Sequence, residues 1–208
     1  MTRCRETIAR IGVHAEIIVV DGGSVDGTVA EAEQAGARVI PQIGRGYGGA
    51  LRTGFAAALG QYLQTMDSDL SHEPEVIASL WQARERADVV IASRYVPGGG
   101  GEMPWFRAVL SRILNVTFTA AFRLPIRDIS SGFRLYRADR LKQVTFRASD
   151  FDVLEEILIL IYVGGGTVTE VPFLYRPRQA GHSHAKLIKF GLAYCRTFYS
   201  MWRLRGRA

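Results

Sequence analysis

Cysteine is nearly absent: Cys4 and Cys195 are the only two among 208 residues, and they stand at opposite ends of the chain. That argues against a disulfide framework and suits a reducing, cytoplasmic setting. Lysine is almost as scarce, confined to Lys142, Lys186 and Lys189, so arginine supplies most of the positive charge. No apolar run approaches the ~20 residues that span a bilayer. The opening stretch from Met1 to Thr7 has no apolar core of the kind a secretory signal needs. No internal repeat is present.

What is there describes a soluble α/β domain. Hydrophobic content of 48% with 22% charge is ordinary for a globular protein, and 208 residues suffice for one well-buried domain but not two large ones. The net charge of +6 favours anionic partners without saying which. Arginine suits bidentate phosphate binding, although codon bias would give the same excess.

Glu16 to Asp21 contains a continuous β-branched run, the pattern of a parallel strand buried on both faces. Asp26-Gly27-Thr28 opens a helix running to about Gly36. Arg38 to Ile40 is a short strand, Gly48 to Gly60 a helix, and residues 61–66 the next strand. A helix from about Glu73 to Arg86 precedes a strand at Asp88 to Ala92. This alternation predicts a doubly wound, mostly parallel sheet. Ligands of such sheets bind beyond the carboxyl ends of the strands, where Asp21, Asp67 and Ser93-Arg94 all fall.

Further on, Pro97 to Gly101 reads as a mobile glycine loop, followed by an amphipathic helix from about Pro104 to Phe122. Phe133 to Tyr136 reads as a strand, residues 152–163 as a helix and Thr167 to Tyr175 as a strand. From about Ala185 to Arg203, aromatic residues alternate with Lys186, Lys189, Arg196 and Arg203, the composition of a core helix or of one lying on a membrane surface.

Chemistry concentrates at Asp67-Ser68-Asp69. Two carboxylates one residue apart share a face of extended backbone. They repel unless a cation sits between them, and Mg²⁺ or Mn²⁺ gripping a diphosphate satisfies that requirement. The competing reading is an Asp-Ser-Asp turn that caps the next helix. Gly44 to Gly49 contains the spacing of a dinucleotide-binding loop, but it does not follow the first strand directly. A glycine loop that admits a nucleotide remains open. Arg107 and Ser111 stand four apart on one helix and can hold one phosphate together. Arg94 and Arg134 are further candidates for an anion site. His182-Ser183-His184 has no third ligand at useful spacing and reads as an exposed pair.

Taken in order, these segments resemble family 2 glycosyltransferases of the GT-A fold, most closely dolichyl- or polyprenyl-phosphate mannose or glucose synthases. The likeness runs from Ile17 to Thr28, through Gly44 to Gly48, Met66 to Pro74, Ser93 to Tyr95 and Arg107 to Asn115. Asp128 to Arg134 and Val171 to Ser183 complete it. It implies a glycosyltransferase domain over residues 1–184 and a C-terminal basic amphipathic helix over residues 185–208.

The resemblance also implies roles. Asp21, beside Gly23, would contact the nucleotide; Asp67 and Asp69 would hold Mg²⁺ or Mn²⁺. Arg94, Arg107 and Ser111 would grip the acceptor phosphate, with Arg134 among the substrate contacts and Arg178 on the donor diphosphate. The implied reaction is inverting transfer of a hexose, with GDP-mannose favoured over UDP-glucose, to a polyprenyl phosphate. The implied partners are a membrane surface or a membrane-embedded protein, and no nucleic acid, with the enzyme peripheral on the cytoplasmic face. Oligomeric state is not implied.

Departures from the family pattern accompany the likeness. The usual first strand ending in Pro-x-x-Asn-Glu is not matched, which predicts an edge or gap in the sheet. Gly22 replaces a second acid, and His184 a lysine. The Gln-x-x-Arg-Trp signature of processive synthases is absent, which disfavours long-chain synthesis. An alcohol acceptor would need a carboxylate base, for which Glu155 and Glu156 are the fallback, although both read as helix-surface residues. A non-catalytic nucleotide-sugar-binding module and, more distantly, an NAD-linked oxidoreductase are the readings outside glycosyl transfer.

Overall fold

The sheet that carries the core is built around its most apolar segment. The computed structural model describes residues 1–176 and 187–205. Strand β4 (Val89–Ser93) is buried at every position, because helices cover both of its faces. Val89 and Ile91 point into one core layer, whereas Val90 and Ala92 point into the other. This is the period-two alternation of a strand expressed as an unbroken hydrophobic run.

The remaining elements follow in order. Helix α1 (Thr2–Ile11) precedes β1 (Ile18–Asp21), α2 (Thr28–Gln34), β2 (Arg38–Pro41), α3 (Gly46–Ala57), β3 (Tyr62–Thr65) and α4 (Val76–Gln82). After β4 come β5 (Gly100–Gly101), α5 (Trp105–Phe122), β6 (Arg134–Arg137), α6 (Ala138–Leu141) and α7 (Val153–Val163). Strands β7 (Val168–Pro172) and β8 (Leu174–Tyr175) lead to α8 (Leu187–Arg205). The central sheet has the order β3-β6-β4-β7, and β1-β2 and β5-β8 form separate pairs.

Pairings β1–β2, β4–β7 and β5–β8 are parallel, as the alternation predicted, but β6 runs antiparallel between β3 and β4. The reason lies just upstream. Arg94, beyond the carboxyl end of β4, pairs with Asp128, so the loop that leads into β6 is held at that end. A strand leaving from there has to run back.

Three expectations need correction. The Glu16–Asp21 run is not buried on both faces: every residue of β1 is only partly buried. Among the described residues its one hydrogen-bonded neighbour is β2, with α3 packing against it through Gly54 and Val20. The glycine tract is not simply a mobile loop, since Gly100 and Gly101 pair in parallel register with Leu174 and Tyr175. Helix α4 is shorter than the stretch from Glu73 to Arg86, beginning only at Val76.

Helix α8 turns aromatic residues into the core. Phe198 meets Phe118 at 5.2 Å and Phe122 at 5.7 Å between ring centres, and Trp202 stands 6.3 Å from Phe122. Met201 is buried, and the Thr197 hydroxyl donates to Asp152 at 2.6 Å. Phe198 and Met201 thus pack the helix against the domain, while Leu192, Tyr199 and Trp202 remain exposed.

Candidate active site

At the carboxyl ends of β3 and β4 the chain opens a cleft of about 110 Å³, whose walls include Tyr47, Asp67, His72, Arg94, Ser130 and Tyr175. A larger cleft of about 180 Å³ on the α3 side is lined by apolar residues with Arg52 and Lys142 and contains no carboxylate. The smaller one holds both a carboxylate and an arginine.

Asp67 follows β3 by two residues and is held from three directions. Its main-chain N–H donates to Nδ1 of His72 at 3.0 Å, and Nε2 of the same ring lies 4.0 Å from Oδ2. The imidazole is buried, stacked on Phe133 at 4.7 Å with an interplanar angle of 12°. The Tyr47 hydroxyl approaches Oδ1 at 3.5 Å. Burial, and then the Asp67 charge, push the Tyr47 phenol well above its ordinary range, so it remains a donor at any working pH.

Tyr47 is positioned by the glycines around it. A Cβ on Gly48 would strike the carbonyl oxygen of Ala148, and one on Gly46 that of Ser149. Their absence lets the start of α3 lie against residues 148–149, with the Gly48 N–H donating to the Ser149 oxygen at 2.9 Å. The glycine motif thus serves chain-to-chain packing at these two positions, rather than the approach of a nucleotide. Glu156 pins the same segment by accepting the N–H groups of Arg147 and Ala148 at 2.9 and 2.7 Å.

Asp69 is turned into its own loop. Its Oδ1 accepts the N–H of Ser71 at 3.0 Å and the Ser71 hydroxyl at 2.5 Å, next to Leu70, whose φ is +65°. Part of the turn-forming reading is therefore realised in the same residues that resemble a metal site. Among the described residues no group of three or more His, Cys, Asp or Glu side chains could hold a metal. The hard oxygen donors of Asp67 and Asp69 still suit Mg²⁺ or Mn²⁺, which take one or two carboxylates and complete their shell with substrate phosphates and water.

The opposite wall is basic and hydroxylic. Arg94 donates from Nε to Asp128 Oδ2 at 2.8 Å, and from Nη2 to Asp128 Oδ1 at 2.7 Å and to Ser130 Oγ at 2.8 Å. Burial opposes the charge on Arg94, but its bonds to Asp128 outweigh that and hold it more firmly protonated than usual. Asp128 is itself fully buried, and Glu170 of β7 accepts its N–H at 2.9 Å. Ser111 of α5 accepts the Tyr95 hydroxyl at 2.9 Å. Asn115, one turn on, donates to the Ser111 carbonyl at 2.8 Å and to Ser130 Oγ at 3.1 Å. Arg94 and Ser111 are thereby brought to one cluster through Ser130.

Other expected site residues are placed differently. Asp21 ends β1, where it accepts the N–H groups of Gly23 at 2.9 Å and Ser24 at 3.0 Å. The Ser24 hydroxyl and these two amides hold its carboxyl below the ordinary range. Gly23, at φ +100°, makes that turn possible. Neither residue lines the cleft. Arg107 is exposed one turn before Ser111, and among the described residues no hydrogen bond or ion pair joins it to the cluster. Arg178 and the His182–His184 pair lie outside the described residues.

Two residues are placed otherwise than expected. Arg134, expected among the substrate contacts, is fully buried and donates to the carbonyls of Ser131 at 2.6 Å, Leu154 at 2.7 Å and Ile129. It holds the loop that carries Ser130 and Ser131. Glu155 and Glu156 are not helix-surface residues, because eight residues of α7, these two included, are buried. Both Glu155 oxygens lack a hydrogen-bond partner among the described residues. Burial pushes the Glu155 carboxyl up to about 8, although Arg134 pulls the other way.

Sequence reasoning missed His72, Tyr47, Asp128, Ser130 and Asn115 as members of the site. His72, six residues into the segment from Met66 to Pro74, was adjacent to a recognised motif. The pairing of Asp128 with Arg94 had no local signal, since 34 positions separate them.

Comparison with known proteins follows the same lines. The sequence model of the family described as Glycosyl transferase family 2 matches residues 2–145. A dolichol-phosphate mannosyltransferase of Pyrococcus furiosus is 34% identical over 206 residues, covering 94% of this chain and 57% of that protein. The polyprenol monophosphomannose synthase of Mycolicibacterium smegmatis is 33% identical over 208 residues, covering 92% of this chain and 77% of that one. The chain thus spans little more than half the length of the first of these relatives. Among solved structures, glucosyl-3-phosphoglycerate synthase from Mycobacterium tuberculosis, in complex with Mn²⁺, UDP and glucosyl-3-phosphoglycerate, superposes with a TM-score of 0.71 at 22% identity. That match covers 94% of this chain and 72% of the other, and it establishes the GT-A fold.

Proposed function

The chain belongs to glycosyl transferase family 2, and from that premise we propose that it transfers a hexose, most directly mannose from GDP-mannose, to a polyprenyl phosphate with inversion. The observation that carries this reading is the asymmetry of the cleft. One wall presents Asp67, and the other presents Arg94 with Ser130, backed by Ser111. A donor diphosphate bound through a cation suits the first wall; an acceptor phosphate suits the second.

Asp67 and Asp69 would hold Mg²⁺ or Mn²⁺, which when bound neutralises charge on the leaving diphosphate. His72 and Tyr47 fix Asp67 in place for that purpose. Arg94 has Asp128 as a permanent counter-ion, so it offers oriented N–H groups without a mobile charge. Ser111 would add a hydroxyl donor beside Ser130, whose own hydroxyl donates to Asp128 Oδ1 at 3.2 Å, and Arg107 at the helix start would complete the acceptor grip. Arg178 would close on the donor diphosphate.

A phosphate acceptor also explains how transfer proceeds without a side-chain base. Its second ionisation lies near pH ~6, so at neutral pH the attacking oxygen already carries charge. Asp67 is the carboxylate among the residues that line the cleft, and Glu155 is fully buried and not among them. The names of the two relatives, one a dolichol-phosphate mannosyltransferase and the other a polyprenol monophosphomannose synthase, support the same acceptor class. No helix of the described residues is long and apolar enough to cross a membrane. The proposed meeting place with the lipid acceptor is a cytoplasmic membrane face, reached at its surface or through a membrane-embedded partner.

Calorimetry with GDP-mannose and with UDP-glucose, each with and without Mn²⁺, together with a transfer assay on polyprenyl phosphate, tests the reading. Mn²⁺-dependent binding with turnover supports it. Binding without turnover would instead make the chain a nucleotide-sugar-binding module.

A further inference from the structure

Glycosyl transfer at the smaller cleft makes no use of the larger one on the α3 side, whose lining is chemically one-sided. Buried Leu63 of β3 and Leu141 of α6 line it with Phe55 and Phe146. The two phenyl rings meet edge to face, their centres 6.2 Å apart and their planes at 82°. Two cations, the Arg52 guanidinium and the Lys142 ammonium, join this apolar lining. Neither has an ion-pair partner among the described residues. The stretches that supply the lining, Pro41 to Met66 and Arg140 to Ser149, contain no acidic residue.

These features define a ligand. The volume of about 180 Å³ slightly exceeds the ~150 Å³ of an apolar cavity that holds benzene, so the cleft takes a single ring. Paired aromatic walls favour a third aromatic ring against them. The two unpaired cations call for an anionic group on that ring. Arg52 says which anion. Its Nη1 donates to the Ala148 carbonyl at 2.9 Å, and its Cζ stands 5.7 Å from the centre of the Phe146 ring. Nε and Nη2 make no hydrogen bond among the described residues. They form the edge of the guanidinium that pairs with a planar carboxylate through two parallel bonds.

We infer that this cleft is an effector site for a small aromatic carboxylate, with the ring against Phe55 and Phe146 and the carboxylate on Arg52 and Lys142. The ligand is an effector and not a substrate, because the two clefts share no lining residue. Bound there, it holds Arg52 at a second edge while Nη1 keeps the Ala148 carbonyl. The segment so restrained lies against the start of α3, where the Gly48 N–H donates to the Ser149 oxygen and Tyr47 stacks on Phe151 at 4.9 Å. From that position Tyr47 approaches Asp67. A chain of direct contacts therefore runs from the effector cleft to the acidic wall of the active site.

The test is a titration of the ¹⁵N-labelled full chain with sodium benzoate, and in parallel with benzyl alcohol as the uncharged ring, followed by amide shifts. Benzoate should saturate with a dissociation constant of about a millimolar or tighter. It should move the amides of Arg52, Phe55, Lys142 and Phe146, and with them Ala148 and Gly48. Benzyl alcohol should bind about five-fold or more weaker, and Lys142→Glu should weaken benzoate by a similar factor. Ala56→Phe, at an exposed position of the lining, fills the cleft and should weaken benzoate about ten-fold. Shifts that never saturate, a match by benzyl alcohol, or binding that Lys142→Glu or Ala56→Phe leaves unchanged would overturn the inference. So would a response centred on Arg94 and Ser130, which would put benzoate in the active-site cleft. Shifts in the lining with Ala148 and Gly48 unmoved would overturn the effector role. No arm requires turnover, so failure of the glycosyl-transfer reading and failure of this site give different patterns.

Discussion

Replacing Glu155 with glutamine separates a structural carboxyl from a catalytic one. The side chain is fully buried, both oxygens lack partners among the described residues, and burial raises its carboxyl from 4.5 to about 8. Below pH 4.5 the folded and unfolded chains both hold the proton, and Glu155 has no pH-dependent effect. Between 4.5 and 8 the unfolded chain releases it while the folded chain keeps it, so stability falls as pH rises. The slope reaches ~1.4 kcal/mol per pH unit, and the accumulated loss by pH 8 is on the order of 5 kcal/mol. Glu155→Gln removes this dependence. Urea denaturation of both proteins from pH 4.5 to 8.5 should give curves that diverge with pH, the variant becoming the more stable, while transfer activity at neutral pH stays within a few-fold of wild type. A constant difference across that range would refute the burial argument. A folded Glu155→Gln protein with turnover reduced by orders of magnitude would make Glu155 the base of an alcohol-acceptor enzyme.

Three further outcomes follow from the cleft. Asp128→Ala strands the buried Arg94 charge and should cost about 3–5 kcal/mol in chemical denaturation; because the loss comes from an unpaired charge, the double variant Arg94→Ala/Asp128→Ala should lose less than the sum of the two. His72→Phe keeps a ring on Phe133 but loses the acceptor for the Asp67 N–H, so the Mn²⁺ concentration for half-maximal activity should rise about ten-fold or more with the melting temperature little changed. Gly48→Ala drives a methyl group into the Ala148 carbonyl and should destabilise the fold by about 1–3 kcal/mol in thermal or urea melts.

The strand ends were legible because an apolar run that stops at a polar residue marks where a strand leaves the core. Asp21 and Ser93 close β1 and β4 as the pattern implied, and Asp67 follows the end of β3 by two residues. Much of what was illegible depends on partners distant in sequence. The antiparallel β6 follows a loop held to β4 by the Arg94–Asp128 pair across 34 positions, a contact that local propensity does not encode. Arg134 resembled a ligand-binding arginine, yet its donors meet main-chain carbonyls that only the folded loop brings to it. An amphipathic helix reads the same whether its apolar face meets a core or a lipid. In α8 both are visible: Phe198 and Met201 pack inward, while Leu192, Tyr199 and Trp202 stay exposed. Glu155 was indistinguishable from a surface glutamate until the packing of α7 on α8 was known.

Transfer to lipid is the central claim, and the appearance of sugar in an organic phase measures it most directly. The protein is incubated with radiolabelled GDP-mannose, Mn²⁺ and a polyprenyl phosphate, and the chloroform-soluble label is counted against an Asp67→Asn control. The account predicts a mannolipid that forms with the wild type, requires the metal, and falls about a hundred-fold or more in the variant. A folded protein that binds the nucleotide sugar but leaves all label in the aqueous phase, with GDP-mannose and UDP-glucose alike, would contradict it.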